Sequence, residues 1–148
     1  KEIKNCDIII LNGSAKSSKK IFDQIKNLNK NIEILEGKYV PQNTNTFNKK
    51  KNYLMFCGIG NPKEFENTLL KHKFKLQKKF FFADHHKFSN EEIFSLKKIA
   101  QKNKLAIITT EKDYLRLNLK QKKNIKFLKI NLKENKLNKL KKKLLDIK

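Results

Sequence analysis

Phe80-Phe81-Phe82-Ala83-Asp84-His85-His86-Lys87-Phe88 runs from three aromatics and an alanine straight into an acid and two imidazoles. The Phe run reads as a buried strand. Asp84, His85 and His86 then fall where such a strand leaves the core. In open α/β sheets, ligands sit beyond the ends of the strands. His85 has the chemistry to donate, accept or relay a proton near neutral pH. Asp84 could fix its tautomer or act on its own. The triplet also fits plain capping before a helix, since most single histidines do no catalysis.

Two more stretches share this layout. Phe56-Cys57-Gly58-Ile59-Gly60-Asn61-Pro62 lies upstream and Thr109-Thr110-Glu111-Lys112-Asp113 downstream. Each follows an apolar run and opens a helical one, so all three are expected at one edge of one sheet. Gly58 and Gly60 permit backbone geometry that side chains forbid, and Pro62 suits a first helical turn. A lone Gly-x-Gly is a weak phosphate signal, because the Gly-Lys-Ser/Thr ending of a nucleotide-cradling loop is missing. A tight strand-to-helix turn is the simpler reading.

Outward from these motifs, apolar periodicity gives the remaining elements. Cys6–Leu11 reads as a buried strand ending at Asn12-Gly13. Ser17–Leu28 carries Ile21, Phe22, Ile25 and Leu28 on one helical stripe, with Ser17 or Ser18 as cap. Residues 31–40 alternate, as a half-buried strand or hairpin arm would, and 41–51 read as a polar loop. The stretch near 31–52 is thus a short β-hairpin or linker arm. Tyr53–Cys57 is a buried strand, followed by a helix with Phe65, Leu69 and Leu70 inward and His72 solvated at its end. Ser89 caps a helix with Glu92 at its third position and Ile93, Leu96, Ile99 and Ala100 inward. Leu105–Ile108 is a strand, Glu111–Leu117 a short helix, and Ile125, Phe127, Leu128 and Ile130 a last strand. Leu137, Leu140, Leu144 and Leu145 mark a closing helix. The order β-α-β-loop-β-α-β-α-β-α-β-α predicts an α/β fold, a largely parallel sheet with helices on both faces. Residues 1–148 are expected to form one such domain.

Composition narrows the function classes. The chain has 148 residues, 38% of them hydrophobic, enough for one core. Its 36 basic and 14 acidic residues leave a net charge of +22, which favours nucleic acid, anionic lipid or phosphorylated ligands. Arg116 is the only Arg, however, and specific phosphate or base readers lean on the planar Arg fork. The Lys, Asn, Ile and Phe mixture follows AT-rich codons, so compositional drift explains it at least as well as a ligand does. Cys6 and Cys57 sit inside apolar runs, which suits buried thiols rather than a disulfide framework or a zinc site. No apolar run approaches the roughly 20 residues of a membrane span.

Four pieces in register resemble one family across essentially the whole chain. They are Asp7-Ile8-Ile9-Ile10-Leu11-Asn12-Gly13, the Phe56–Pro62 stretch with Phe65 after it, Ala83-Asp84-His85-His86, and Thr109–Asp113. Together they resemble the C-terminal domain of tetraacyldisaccharide 4'-kinase, the lipid A kinase. That resemblance implies the C-terminal half of a P-loop kinase, which transfers the γ-phosphate of ATP, with Mg²⁺, to the 4'-hydroxyl of tetraacyldisaccharide 1-phosphate. It implies a peripheral location at the cytoplasmic face of the bacterial inner membrane, against an anionic membrane surface. It also implies an N-terminal P-loop domain as partner, because the family's phosphate loop, Mg²⁺ ligands and acceptor-side Asp belong to text absent from these residues. Lys1-Glu2 does not match the family's Arg-Glu element. The chain alone is therefore expected to be inactive, with ATP and Mg²⁺ bound mainly by the missing half and no metal ligand here.

Under the resemblance, His85 is the His that pairs with the family's N-terminal Asp as a dyad on the acceptor hydroxyl. Asp84 would fix the ring or the loop, and His86 would be structural. Asn12, Gly58, Gly60, Thr110, Glu111, Lys112 and Asp113 would lie near substrate or nucleotide. A Lys-Asp pair is equally often a structural ion pair. The alternative is a non-enzymatic, Lys-rich nucleic-acid-binding α/β domain. Only the charge favours it, and no specific nucleic acid is expected, since no RNA or DNA motif is present. A metal site from Asp84, His85 and His86 is disfavoured, because adjacent side chains on an extended segment point to opposite faces.

Overall fold

A computed structural model describes residues 2–12, 15–134 and 145. The chain divides into two compact units, Pro41–Ile130 and the residues on either side of it. The flanking unit holds a three-stranded sheet in the order β1-β2-β7, where β1 is Ile8–Asn12, β2 is Glu33–Pro41 and β7 is Ile130–Glu134. A single turn of 3₁₀ helix, Glu2–Asn5, precedes β1, and helix α1, Ala15–Leu28, links β1 to β2. The two strands run parallel, with Ile8 opposite Glu33 and Asn12 opposite Gly37.

That pairing corrects the hairpin arm expected near 31–52. Parallel neighbours need a crossover, and α1 supplies it. Alternation alone does not distinguish a hairpin arm from a half-buried parallel edge. Ser17 and Ser18 lie inside α1 rather than capping it, because the helix already begins at Ala15. Of its expected stripe, Ile25 is buried, while Ile21, Phe22 and Leu28 are exposed.

The central unit carries the motifs. Its sheet has the order β4-β3-β5-β6, formed by β3 (Asn52–Cys57), β4 (Lys75–Phe81), β5 (Ala106–Thr110) and β6 (Ile125–Leu128). All three pairings are parallel. Helix α2 (Pro62–Lys71) joins β3 to β4, and α3 (Asn90–Lys102) joins β4 to β5. Two short helices, α4 (Glu111–Arg116) and α5 (Leu119–Lys122), join β5 to β6.

The β3 strand shows why its sequence is apolar at every position but the first. Tyr53, Met55 and Cys57 enter one core with Phe65, Leu69, Phe74, Ile108 and Leu128. Leu54 and Phe56 enter the other with Ile93, Leu96, Ala100 and Ile107. A strand covered on both faces must be apolar at odd and even positions alike. Each such large side chain contributes roughly 1.5–3 kcal/mol when fully buried.

The Phe run departs from the buried strand expected of it. Of the strands described, β4 is an edge strand, and Phe81 is exposed while Phe80 and Phe82 are half-buried. An edge strand has a neighbour on one side only. Phe80 and Phe82 pack against the core made by Leu54 and Phe56, while Phe81 takes the Lys63 ammonium over its ring. The last apolar run also splits. Ile125–Leu128 ends one sheet and Ile130–Glu134 belongs to the other, so one largely parallel sheet becomes two. The expected closing helix falls outside the described residues, except for Leu145.

The Ser89 cap of α3 forms as expected, and α2 has a cap of its own. Asn61 accepts from the Glu64 N–H ahead of Pro62 at the start of α2. Ser89 and Glu92 form a reciprocal capping box on α3. Leu70, expected inward, is exposed; Glu66 is buried instead and takes ammonium groups from Lys79 at 2.8 Å and Lys63 at 3.1 Å. Those two lysines, Lys79 first, hold the Glu66 carboxyl below its ordinary pKa.

Candidate active site at the C-terminal edge of the central sheet

Because β3, β4 and β5 are parallel, their C-terminal ends lie along one edge, and each end opens into one of the three motifs. Gly58 is the hub. Its N–H donates to Asp113 Oδ2 at 3.0 Å. Its carbonyl accepts from the His85 N–H at 3.1 Å and from Arg116 Nη1 at 3.3 Å. One residue after β3 thereby ties the turn after β4 to helix α4.

The need for glycine here is spatial. No glycine has a positive φ among the described residues, which corrects the expectation of special dihedrals at Gly58 and Gly60. A Cβ on Gly58 would stand 3.0 Å from the Ala83 carbonyl and 3.1 Å from the His86 Cβ. On Gly60 it would meet the Asp84 carboxylate at 3.1 Å. This loop lies close against the Ala83–His86 turn, so a side chain at Gly58 presses on backbone and one at Gly60 on the end of the Asp84 side chain.

The left-handed backbone belongs to His85 instead, at φ 60°. A non-glycine residue pays for that conformation. Two acceptors hold it there, since the His85 N–H reaches both Gly58 O and Asp84 Oδ1, the latter at 2.9 Å. The His86 N–H closes the turn onto Ala83 O at 3.2 Å. As a result the His85 ring projects outward, with a side chain 79% exposed. Its Nε2 lies 3.8 Å from Asp84 Oδ1, and its Nδ1 accepts from Arg116 Nη2 at 3.0 Å.

Asp113 anchors the other side and is fully buried. Thr110, the N-cap of α4, donates from Oγ1 to Asp113 Oδ2 at 2.7 Å and accepts from the Asp113 N–H at 3.1 Å. Arg116 Nη1 donates to Asp113 Oδ1 at 3.1 Å. The ion pair in this motif is therefore Asp113 with Arg116, one helical turn apart, and Lys112 is exposed.

Residues 1–147 match the tetraacyldisaccharide-1-P 4'-kinase family. The chain belongs to that family. The tetraacyldisaccharide 4'-kinase of Pelagibacter ubique is 41% identical over 130 residues, which are 88% of this chain and 41% of that protein. The corresponding kinase of Rickettsia akari is 33% identical over 86 residues, covering 58% of this chain and 26% of its own length. The chain thus spans well under half of the curated relatives it matches. Among solved structures, the "apo" form of LpxK from Aquifex aeolicus in complex with ATP shares the fold, with a TM-score of 0.57 at 18% identity, over 97% of this chain and 52% of that one.

Within this family member, the structure brings together Gly58, Gly60, Asp84, His85, Thr110 and Asp113. The network passes over Glu111, half-buried at the start of α4. Asn12 ends β1 in the flanking unit. His86 is built into the fold. It stacks on Phe82 at 4.9 Å, meets Phe88 edge-on at 5.0 Å, and its Nε2 lies 3.0 Å from both Glu92 oxygens. The Ser89 backbone N–H first, and then His86, hold the Glu92 carboxyl below its usual range. Beneath the hub, the Cys57 thiol is pushed up to about 12 by burial, then by the negative charge of Asp113 and Glu66.

Arg116 is the residue that sequence reasoning left out of the site. Its signal was present, as the single Arg in a lysine-saturated chain, one turn after Asp113. A position that keeps the fork where lysine is everywhere else is one where geometry, beyond charge, is needed.

Proposed function

We propose that this chain is the C-terminal part of a kinase that moves the γ-phosphate of ATP to the 4'-hydroxyl of tetraacyldisaccharide 1-phosphate, with His85 at the reacting groups. The supporting observation is the His85 ring itself, solvent-facing on a left-handed residue that Gly58 and Asp84 hold in place. Phosphoryl transfer asks mainly for positioning and charge stabilisation, and an imidazole so held can pair with a carboxylate or orient an alcohol.

The described residues do not fit Mg²⁺. No three His, Cys, Asp or Glu among them converge to hold a metal ion, and both Asp113 oxygens are occupied by Gly58, Thr110 and Arg116. In the proposed reaction Mg²⁺ is held by other residues, and the ATP phosphates by a loop of the Gly-Lys-Ser/Thr type, which this sequence does not contain. The enzyme would work at the cytoplasmic face of the inner membrane, where a +22 chain gains from anionic lipid.

The test is a chimera in which this chain replaces the matching segment of the Pelagibacter ubique relative, assayed with ATP, Mg²⁺ and the disaccharide acceptor. The chimera should phosphorylate the acceptor and the chain alone should not. Turnover by the chain alone at the chimera's rate would refute the division of labour. A folded, ATP-binding chimera without transfer would refute the reading as a whole.

A further inference from the structure

We propose that Arg116 is a positioning residue that fixes His85 in a single tautomer, leaving only its Nε2–H to face the reacting groups. The inference deepens the function proposed above and rests on it for its catalytic meaning; the tautomer itself does not.

The chemistry is decided by what arginine cannot do. A guanidinium carries five N–H donors, has no acceptor and keeps its proton in proteins. A 3.0 Å contact between Arg116 Nη2 and His85 Nδ1 therefore has one direction, with Nδ1 accepting. A neutral imidazole that accepts through Nδ1 carries its hydrogen on Nε2. A doubly protonated ring has no lone pair to offer, so the neutral ring alone makes this contact.

Arg116 is in turn held at a second nitrogen. Nη1 reaches Asp113 Oδ1 and Gly58 O, and Asp113 is fully buried and bound to two further donors. The guanidinium plane is thus set by buried groups on one side and hands that geometry to an exposed ring on the other. Lysine, used elsewhere throughout the chain, has a single nitrogen to aim, and Nη1 and Nη2 here serve different partners.

The consequence concerns mechanism. With Nδ1 engaged, His85 offers a hydrogen-bond donor, and its counterpart is an acceptor oxygen, with a carboxylate or a phosphoryl oxygen making the stronger, charge-assisted bond. It is not set up to take the proton from the acceptor hydroxyl through Nδ1. Asp84 Oδ1, at 3.8 Å from Nε2, is too far for a hydrogen bond and leaves Nε2–H free to engage such a partner.

The chain alone allows the test, by long-range nitrogen–proton NMR of the three histidines at a pH where they are neutral. His72, exposed at the end of α2, supplies the signature of a ring free to mix tautomers. His86, stacked on Phe82, reports whether the fold is intact. His85 should show one tautomer, with hydrogen on Nε2, distinct from His72. In Arg116→Met, His85 should revert to the His72 pattern while His86 stays unchanged. Should the Met variant disturb His86, Arg116→Lys serves in its place, and the same reversion is expected. A wild-type His85 that matches His72, or a His85 signal unmoved in the folded variant, would overturn the inference.

In the chimera, Arg116→Met should lower kcat about 10- to 100-fold with KM for ATP little changed, by analogy with the loss of a partner that orients a metal-bound imidazole. Activity lost in His85→Ala but kept in Arg116→Met would overturn the positioning role alone. Activity kept in His85→Ala would overturn the proposed function and leave the tautomer standing.

Discussion

The Gly58 N–H donates to Asp113 Oδ2 across 55 residues of sequence, and Asp113 has no exposed surface. This single carboxylate joins the end of β3 to helix α4. Replacing it with Ala would take the acceptor from the Gly58 N–H and the Thr110 hydroxyl and leave Arg116 Nη1 with the Gly58 carbonyl alone. Breaking a buried pair of this kind costs about 3–5 kcal/mol. Because the Arg116 side chain retains 27% exposure, the lower end is expected for Asp113→Ala. A denaturant titration of the chain checks it; a loss below about 1 kcal/mol would mean that water replaces the carboxylate.

The two glycines of the same loop should respond differently to alanine. At Gly58 the added methyl meets a backbone carbonyl, that of Ala83, which cannot move without the turn carrying His85. Overpacking of this sort costs about 1–3 kcal/mol. At Gly60 it meets only the far end of the exposed Asp84 side chain, which can rotate away. Gly58→Ala should lower Tm clearly and Gly60→Ala hardly at all. Equal effects would show that the close approach at Gly58 is not a constraint.

These residues also show how far the sequence could be read. The apolar run of β3, the Ser89 and Glu92 cap and the start of α4 at Glu111 are local patterns, and they are visible without a structure because local physics produces them. Pairing is different. Residues 31–40 alternate in the same way whether they return as a hairpin or run parallel to β1, so periodicity could not choose. The Phe80–Phe82 run suggested burial because aromatics usually signal it, but the partner strands decide whether a strand is central or at an edge. Asp84, His85, Thr110 and Asp113 were found as motif residues. Arg116 was missed because its role depends on a fork reaching two elements at once, and no spacing rule encodes that.

Acid should expose the Glu92 cap. Its folded pKa is depressed, first by the Ser89 N–H and then by His86. A depressed carboxylate contributes stability above its unfolded pKa and loses it as pH falls through the folded value. Melting curves from neutral pH downward should therefore show stability lost below the ordinary glutamate range, and Glu92→Gln should flatten part of that slope. Ser89→Ala, which removes the other half of the box, should cost about 1 kcal/mol at neutral pH. An unchanged acid slope in Glu92→Gln would assign the effect to other carboxylates.

Cysteine reactivity should separate the two thiols. Cys57 is fully buried with a thiol pushed up to about 12, whereas Cys6 is partly exposed. The thiolate is the reacting species. Under native conditions at mildly alkaline pH, iodoacetamide should label Cys6 first and leave Cys57 unmodified until the chain unfolds. Peptide mass spectrometry reads both sites, and native labelling of Cys57 at the rate of Cys6 would show that the sheet edge beneath Gly58 opens readily.

His85 and His86 are neighbours with opposite expected behaviour. The His85 side chain is largely exposed, so His85→Ala in the chimera removes a functional group and its contact with Arg116 and little buried surface. Alanine at φ 60° keeps the left-handed cost, about 1–2 kcal/mol, which the native residue already carries; His85→Gly, free of that cost, is the control for strain. Loss of a positioned donor or acid–base group lowers rate about 10²- to 10⁴-fold, and both variants should fall in that range with Tm close to the parent or, for glycine, slightly above it. His86→Ala instead deletes the contacts to Phe82 and Phe88 and the partner of Glu92. It should lower Tm while kcat, measured well below the melting range, stays within a few-fold of the parent. Rate and melting must be taken on the same preparations, because a structural histidine shows its loss in stability first. A kcat for His85→Ala equal to the parent at saturating acceptor would remove His85 from the reaction. A rate loss in His86→Ala without any fall in Tm would transfer the catalytic assignment to its neighbour.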